Sequence, residues 1–396
     1  NHCAQHLPDH MIPTTYTLLD TLPLTPNGKT DYRALPTPEP ANTGSTDYTP
    51  AQTPAQALLV RIWEETLQVQ PVGINDSFFA LGGHSLLALS LADKIQQAFG
   101  GELPLAALYQ NPTPAELAAR LERAPDADWP SSIVPLKATG DRPPLFCVHP
   151  KNGTVFSFTA LARTLAAECP LYGVQAHSLD LERKPHDSIE EMAAAYVQDI
   201  IRVQPEGPYH LCGYSLGGMI AYEMARQLTA LGREVARLVL LDSAPHLEAG
   251  FPSLAELESM DDVTFLITEF AEAVPVTEEA LRPLAPEQRI KHVLDLAVAA
   301  GFHMEHMDLR TMTRYTDIAR AHTRAALAYR PGPYTGSALL VRCADPTDSA
   351  EADPSWGWQA LVGDGLTIRE VTGNHRTIVD APHVIAVSEH VSDYLT

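Results

Sequence analysis

Apolar residues recur at helical spacing in the middle of the chain. In the segment 55–67 they are Leu58, Val60, Ile62, Trp63 and Leu67, and the segment 85–99 repeats the pattern. A third helix is predicted over 113–121, where Pro114 stands at a helix-start position. Helices joined by short loops, with no strand pattern among them, predict a small all-α helical bundle.

The C-terminal part of the chain alternates short apolar runs with helical patterns. The apolar runs lie at 145–148, 209–212, 238–241 and 339–341, and 366–371 is also strand-like. Helices are predicted over 156–167 and 218–230. Buried runs separated by helices predict a parallel sheet that is covered by helices on both faces. A long helical segment, from about residue 252 to 328, interrupts this alternation and is predicted to be a lid over the carboxyl edge of the sheet.

Two stretches rich in proline and small polar residues divide the chain. They end at about residues 53 and 132, and each has the composition of a semi-extended linker. The predicted division is a head segment 1–36, a linker 37–53, a helical domain 54–124 and a large domain 133–396.

The composition of the chain argues against several classes of partner. The formal net charge is −22, and this field attracts neither nucleic acid nor an anionic membrane. The five cysteines are scattered without any CxxC spacing, so we expect no disulfide framework or zinc site and a reducing, cytoplasmic location. No apolar run approaches the roughly 18–20 residues that span a bilayer. Because the chain begins with Asn1 rather than Met, we expect it to be a piece of a longer chain.

Ser85 lies where a glycine-containing loop meets a predicted helix. Taken alone, it is as readily a helix N-cap, but Gly82 and Gly83 leave room for a large group to approach the backbone. The segment 76–86, Asp-Ser-Phe-Phe-Ala-Leu-Gly-Gly-His-Ser-Leu, resembles the signature of peptidyl carrier proteins. The resemblance implies that Ser85 is esterified by 4′-phosphopantetheine. His84, which stands where polyketide and fatty acid carriers usually have Asp, is typical of the peptidyl type.

Ser215 is the centre of a G-x-S-x-G motif, Gly213-Tyr214-Ser215-Leu216-Gly217. This pattern also occurs by chance. Here it follows a predicted strand and opens a predicted helix, which is the context of a nucleophile elbow. A serine hydroxyl is a poor nucleophile by itself, so a base must accompany it.

An acid and a base follow Ser215 in the chain order that the motif requires. The predicted base is His375, in a loop after the strand-like segment 366–371. Asp242 directly follows the run 238–241, and Asp345 follows the run 339–341. Either aspartate is otherwise a turn residue or a helix cap, so the residues alone leave both open as the acid.

Residues 133–396 resemble the thioesterases of the α/β-hydrolase family that end nonribosomal peptide synthetases. The resemblance implies a serine thioesterase with an α/β-hydrolase fold and a helical lid insertion. The resemblance also implies that the triad is Ser215, Asp242 and His375, since the acid of the family precedes the lid. The loop His149-Pro150-Lys151-Asn152-Gly153 matches the family's oxyanion loop, which implies that the backbones of Lys151 and Leu216 donate to the oxyanion. The family usually has small residues at Lys151 and Asn152, so we expect the Lys151 side chain either to touch the substrate or to point into solvent.

The head segment resembles the last motif of adenylation domains, in Leu22-Pro23-Leu24-Thr25-Pro26-Asn27-Gly28-Lys29. In that family the lysine of this motif, which would be Lys29 here, contacts the adenylate and the substrate carboxylate, although Tyr32 stands where an arginine is usual. Since the rest of an adenylation domain is absent from the sequence, we do not expect Lys29 to catalyse adenylation in this chain. The three resemblances imply release of a peptidyl or acyl thioester by hydrolysis or macrocyclisation, in antibiotic or siderophore biosynthesis. They also imply a phosphopantetheinyl transferase and upstream condensation and adenylation domains as partners.

Other functions and sites are weighed against this one. A catalytically silent docking platform and a stand-alone serine esterase are the alternatives, and the intact Ser-Asp-His order and the carrier motif respectively disfavour them. His303 and His306 lie three apart without an accompanying carboxylate or cysteine cluster, so no metal site is predicted. Cys212, beside the nucleophile motif, is predicted to be a core residue.

Overall fold

The computed structural model of the chain describes residues 48–83, 85–99, 103, 105–122, 132–179, 183–247, 251–271, 274–300, 309–344 and 353–396. The predictions for the head segment with Lys29, for His84, for the pair His303 and His306, and for Asp345 lie outside these residues. So do most of the two predicted linkers.

The first described part of the chain, residues 48–122, is a helical domain. Its helices are α1 Pro54–Leu67, α2 Ser85–Phe99, α3 Leu105–Gln110 and α4 Pro114–Glu122. The prediction of three helices is confirmed to within one residue, and only the six-residue α3 is too short to give a periodic pattern. Thr53 caps α1, because its side chain accepts a hydrogen bond from the Gln56 N–H. The fully buried side chains of this domain include Leu59, Trp63, Phe78, Leu91 and Ile95.

The described residues between 132 and 396 are built on a seven-stranded sheet. Its strands are β1 Ile133–Lys137, β2 Leu145–Val148, β3 Leu171–Val174, β4 Tyr209–Tyr214, β5 Val235–Leu241, β6 Ala338–Cys343 and β7 Leu366–Val371, in the order β1-β3-β2-β4-β5-β6-β7. The five strands that the apolar runs predicted, β2 and β4 to β7, run parallel as expected. The sheet differs from this pattern at one edge, where β1 runs antiparallel to β3. Neither strand was predicted, because Pro135 and Gly173 interrupt their apolar runs. Proline is tolerated in β1 because this strand lies at the edge of the sheet.

Both faces of this sheet are covered, as the apolar runs predict. Along β5, Leu238 and Leu240 face one apolar cluster, whereas Val239 and Leu241 face the other. The covering helices are α5 Thr159–Thr164, α6 Ile189–Val203, α7 Leu216–Ala230, α13 Gln359–Val362 and α14 His383–Leu395. The helix predicted over 156–167 is shorter, since residues 156–158 form a 3₁₀ turn and α5 ends at Thr164.

A helical insertion separates β5 from β6, close to the predicted segment 252–328. Its helices are α8 Leu254–Ser259, α9 Asp262–Phe270, α10 Glu278–Leu281, α11 Pro286–Ala299 and α12 Leu309–Ala328. Ser253, Asp261 and Thr277 cap the first three of these helices with side-chain oxygens. The insertion has an apolar cluster of its own around Val263, Leu281 and Met312. No helix in the described ranges is long and apolar enough to cross a membrane.

The helical domain packs against the sheet domain through aromatic rings. Tyr109, on α3, stacks on Phe79 at 4.5 Å between ring centroids and lies 5.7 Å from Phe156 of the sheet domain. Tyr109 contacts the apolar cores of both domains. The two domains therefore share an apolar contact to which Tyr109 contributes.

Candidate active site

Ser215 lies at the sharp turn between β4 and α7. Its backbone φ is +58°, a left-handed conformation that a residue with a Cβ adopts only under strain. A Cβ on Gly213 would collide with the backbone of Gly217, and a Cβ on Gly217 would collide with the carbonyl groups that end β2. The two glycines therefore allow a turn this tight, and Ser215 lies at the carboxyl edge of the sheet.

His375 joins Ser215 to Asp242. Its Nε2 lies 3.0 Å from Ser215 Oγ, and its Nδ1 lies 2.7 Å from Asp242 Oδ2. The imidazole is in the loop after β7, with 53% of the side chain exposed. An imidazole held by a carboxylate at one nitrogen and by a serine at the other has the geometry of a general base.

Asp242 directly follows β5 and is 5% exposed. Its second carboxylate oxygen, Oδ1, accepts a hydrogen bond from the Cys343 N–H at 2.7 Å, so the end of β6 fixes the carboxylate. Burial and the neighbouring Asp242 charge raise the pKa of the Cys343 thiol to about 12, so this thiol stays neutral. The structure brings Asp242 to His375, and Asp345, the other aspartate that the sequence left open, lies outside the described residues.

Tyr214 is a residue of the site that the sequence analysis missed. Its hydroxyl donates a hydrogen bond to the backbone carbonyl of His375, and its ring lies 5.3 Å from the imidazole. Burial, with the Asp242 charge, raises the pKa of Tyr214, so the phenol remains protonated and able to donate. Its position directly before Ser215 was a signal that it lies at the sheet edge, but no pattern in the sequence indicates its partner.

The loop after β2, residues 149–153, lies against the start of α7. Its backbone turns on itself, with the Gly153 N–H donating to the Pro150 carbonyl at 3.0 Å. Gly217 packs directly on the backbone of Val148 and His149. Leu216 is the first residue of α7, and the first N–H groups of a helix have no intrahelical acceptor. The structure thus brings the segments of Lys151 and Leu216 together beside Ser215.

The Lys151 side chain shows an arrangement that the sequence did not suggest. Instead of extending into solvent, its Nζ pairs with Glu269 Oε2 of the insertion at 2.7 Å. The Lys151 side chain is 34% exposed and that of Glu269 is 9% exposed. Nothing in the sequence indicates this pair, because its members are far apart in the chain.

The loop before Ser85 fits the attachment of a large group. A Cβ on Gly83 would collide with the buried Phe78, which holds the loop close to the core of the helical domain. Gly82, at φ +96°, has open space where a Cβ would stand. Ser85 is the first residue of α2, and a helix N-terminus favours a nearby phosphate. These features suit a phosphodiester on Ser85.

Cys212 and the metal-ligating residue types are the remaining predictions that the described residues bear on. Cys212 is fully buried in β4, which confirms that it is a core residue. Within the described ranges, no group of three or more His, Cys, Asp or Glu side chains is arranged to hold a metal ion.

Two family models match the chain. The thioesterase domain matches residues 143–395, and the phosphopantetheine attachment site matches residues 57–121. The first match covers more than half of the chain, so the chain belongs to the thioesterase domain family. In front of the thioesterase domain lies a carrier domain of the type that holds phosphopantetheine covalently on a serine.

Nonribosomal peptide synthetases are among the proteins that this chain resembles. The dimodular nonribosomal peptide synthase of Bacillus subtilis (strain 168) is 43% identical over 245 residues, which is 62% of this chain and 10% of that protein. The crystal structure of holo-AB3403, a four-domain nonribosomal peptide synthetase bound to AMP and glycine, has a TM-score of 0.62 at 34% identity and covers 98% of this chain and 29% of its own. The chain is homologous to the termination modules of such enzymes and spans only a small part of their length.

A third comparison concerns the fold of the sheet domain alone. The Vlm2 thioesterase domain, bound with a dodecadepsipeptide, matches with a TM-score of 0.51 at 22% identity. The match covers 67% of this chain and 97% of the Vlm2 chain. The sheet domain therefore has the fold of a thioesterase domain.

Proposed function

We propose that this chain ends a nonribosomal peptide synthetase and releases its peptidyl or acyl product through Ser215. The observation that carries the proposal is the line of contacts from Ser215 through His375 to Asp242, in a thioesterase domain that follows a carrier domain. The proposed boundaries are 54–124 for the carrier and 133–396 for an α/β-hydrolase domain. The proposed partners are a phosphopantetheinyl transferase and upstream condensation and adenylation domains.

Ser85 is the proposed attachment residue for 4′-phosphopantetheine. When bound, the group supplies a thiol on a flexible arm, which holds the acyl chain as a thioester. The chain's own contribution is the position of Ser85 at the start of α2 and the open backbone at Gly82. A tethered acyl group reaches Ser215 at a high effective concentration.

Ser215 is the proposed nucleophile, and His375 is its general base. Nε2 takes the proton of Ser215 Oγ as this oxygen attacks the acyl carbonyl, and later returns the proton to the leaving sulfur. Asp242 holds Nδ1–H, so the correct tautomer faces the serine and the imidazolium that forms is stabilised. The product of these steps is an acyl ester on Ser215.

The backbone N–H groups of Leu216 and Lys151 are the proposed oxyanion hole. Negative charge develops on the acyl oxygen in the tetrahedral intermediate, and fixed donors stabilise it without reorganising. Each such donor contributes on the order of 3 kcal/mol to the transition state.

The insertion is the proposed lid, and it decides the fate of the acyl ester. Water on the ester gives hydrolysis, whereas an amine or hydroxyl of the peptide gives a macrocycle. His375 removes a proton from either nucleophile. A cover over the site that excludes water favours the second outcome.

The test uses the whole chain, loaded with an acyl-coenzyme A by a phosphopantetheinyl transferase and followed by mass spectrometry. We expect the wild type to gain the mass of acyl-4′-phosphopantetheine on Ser85 and then lose the acyl group. Ser215→Ala should gain the mass and keep it. Ser85→Ala should not gain it, yet should still react with a fluorophosphonate at Ser215.

Other results would point to the alternatives. Release that persists in Ser215→Ala contradicts the proposed nucleophile. A loaded wild type that never releases any of a panel of acyl groups favours a docking platform. A chain that is never loaded, yet cleaves soluble esters, favours a stand-alone esterase.

A further inference from the structure

The insertion contacts the loop 149–153 at several points. Glu269 of α9 pairs with Lys151 Nζ, and His322 of α12 lies with Nδ1 2.8 Å from the Lys151 carbonyl oxygen. Tyr315 of α12 forms a hydrogen bond with the Asn152 side chain. A Cβ on Gly153 would lie 3.3 Å from Ile318 of α12, so the loop backbone packs directly on this helix. The loop is thus held from the side of the insertion as well as from the sheet.

The orientation of the peptide group between Pro150 and Lys151 decides whether the Lys151 N–H can donate to the proposed oxyanion. The N–H of Lys151 and the carbonyl of Pro150 belong to the same planar peptide, so they point in opposite directions. His149 Nδ1 lies 2.8 Å from the Pro150 oxygen, and His149 Nε2 lies 2.8 Å from the Tyr196 hydroxyl. A carbonyl only accepts, so Nδ1 carries the proton and Nε2 accepts from Tyr196. The hydrogen bond from His149 therefore keeps the Pro150 carbonyl directed toward the His149 ring. The Lys151 N–H, on the opposite side of the same peptide, is directed away from this ring.

His322 holds the next peptide group in the same way. Its Nδ1 must carry the proton, because the Lys151 oxygen only accepts. The ring is 1% exposed and stacks on His149, with 5.1 Å between ring centroids. The Lys151 residue therefore has a fixed carbonyl on each side of its Cα, one held by the sheet domain and one held by α12.

The ion pair links the same residue to a different helix. Glu269 lies near the end of α9, and its side chain is nearly buried. α9 is joined to α12 by Arg320, which lies 4.2 Å from the Phe265 ring and 3.0 Å from Asp262. A Lys–Glu pair that is largely shielded from water is stronger than an exposed one. When α9 leaves this position, Lys151 loses the pair and the loop keeps only its contacts with α12 and the sheet.

We infer that Lys151 and Glu269 are positioning residues, whose ion pair acts together with the His149 and His322 hydrogen bonds to hold the Lys151 peptide in the orientation that donates to the oxyanion when α9 is seated. The inference rests on the proposed function, since it assigns a task to a side chain of the proposed oxyanion loop. It also means that the oxyanion hole is complete when the insertion covers the site. The Lys151 side chain acts through its own backbone and does not touch the substrate.

The experiment compares single and paired charge changes in the whole chain. The variants are Lys151→Met, Glu269→Gln, Lys151→Glu, Glu269→Lys and the double exchange Lys151→Glu/Glu269→Lys. The probe is the thioester octanoyl-N-acetylcysteamine, for which kcat and KM are measured separately. The matched control is Lys291→Met, which removes a lysine that pairs with Asp295 on the exposed face of α11, at 2.9 Å. Hydrogen exchange of α9 amides reports whether the helix is seated.

We expect Lys151→Met and Glu269→Gln to lower kcat by about tenfold with little change in KM, since the donor acts in the transition state. The single charge reversals, Lys151→Glu and Glu269→Lys, should lower kcat further, and the double variant Lys151→Glu/Glu269→Lys should recover most of the lost kcat. Hydrogen exchange of the α9 amides should be faster in the single variants and return toward the wild-type rate in the double variant. Lys291→Met should match the wild type throughout.

Several outcomes would overturn the inference. Faster hydrogen exchange in α9 without a change in kcat would show that the Lys151–Glu269 pair stabilises the position of the helix and does not affect the oxyanion hole. A loss in Lys151→Met that Glu269→Gln does not share, and that the double exchange does not recover, assigns the Lys151 side chain to the substrate instead.

Failure of the proposed function would look different. In that case the wild type would not turn over the thioester, or its turnover would survive Ser215→Ala. A Ser215-dependent wild type with unaffected pair variants refutes the inference and leaves the proposed function standing.

Discussion

The Tyr214 hydroxyl donates a hydrogen bond to the backbone carbonyl of His375, so the residue before the proposed nucleophile holds the residue proposed as its base. The bond joins the end of β4 to the loop after β7, across the two intervening strands β5 and β6. His375 is half-exposed, and a loop imidazole without such a tie has more freedom to leave Ser215. The position of the base is thus fixed at its backbone by Tyr214 and at its ring by Asp242.

Tyr214→Phe is therefore expected to lower kcat by roughly tenfold while KM stays close to the wild-type value. The phenyl ring keeps the packing against the imidazole and only the donor is lost. Turnover of a soluble thioester measures the effect. The matched control is Tyr222→Phe, which removes a hydroxyl that donates to the Gly332 carbonyl at 2.8 Å, away from His375. Equal losses in the two variants would contradict a specific role for Tyr214.

Asp242→Asn is expected to lower release by about 10⁴ at neutral pH, because an amide favours the wrong imidazole tautomer. Asp345→Asn should have a far smaller effect. Timing release of a model acyl group from the loaded carrier compares the two variants. A large loss for Asp345→Asn with near-normal release for Asp242→Asn would move the acid to the end of β6.

Phe156→Ala is expected to loosen the carrier from the thioesterase domain. The ring is one of the aromatic contacts of Tyr109, and a ring pair of this kind contributes about 1 kcal/mol beyond its buried area. Amides of α3 should then exchange up to roughly tenfold faster, while turnover of a soluble thioester is unchanged. Phe251→Ala, at an exposed site with 49% of the residue accessible, is the control. Unchanged exchange in α3 would show that the ring does not hold the carrier.

Local patterns predicted the parts of the fold that are long or continuously apolar. The run 145–148 and the segment 366–371 are strands with the predicted bounds, and α2 begins and ends at the predicted residues. β1 and β3 were missed because a proline and a glycine break their apolar patterns. The two strands pair with each other at the edge of the sheet, and a short stretch of sequence does not contain both partners. Helix α6 was missed although its apolar face is fully buried against the sheet.

The residues of the candidate site also fall into those that sequence patterns indicated and those that they did not. Ser215, Asp242 and His375 were found because a motif, a chain order and a family resemblance constrain them together. Tyr214, Glu269 and His322 act through contacts with backbone atoms or with residues more than a hundred positions away. Contacts of this kind leave no periodic or spaced pattern in a single sequence, so only the folded chain reveals them.

The last prediction concerns the stability of the folded chain at acidic pH, which depends on the buried His322. Burial lowers the pKa of His322 to about 4, against an ordinary value of 6.5. Between these values the unfolded chain binds a proton at this imidazole and the folded chain does not, so stability falls as the pH drops from about 6.5 toward 4. One such group contributes a slope of about 1.4 kcal/mol per pH unit in this window. The buried His149, whose pKa is also lowered by burial and by His322, acts in the same direction.

His322→Asn tests this because the amide retains a donor near the Nδ1 position but does not titrate. The free energy of unfolding is measured in urea between about pH 4.5 and 7.5, with pulsed hydrogen exchange of β4 and β5 amides to report on the thioesterase domain. We expect the variant to lose stability less steeply with acid, by about 1 kcal/mol per pH unit relative to the wild type. Leu231→Asn, which changes an exposed apolar side chain and no titrating group, should keep the wild-type slope. If His322→Asn and the wild type fall in parallel, the His322 imidazole binds the same number of protons in the folded and the unfolded chain at each pH, and an imidazole that burial keeps neutral is the wrong description.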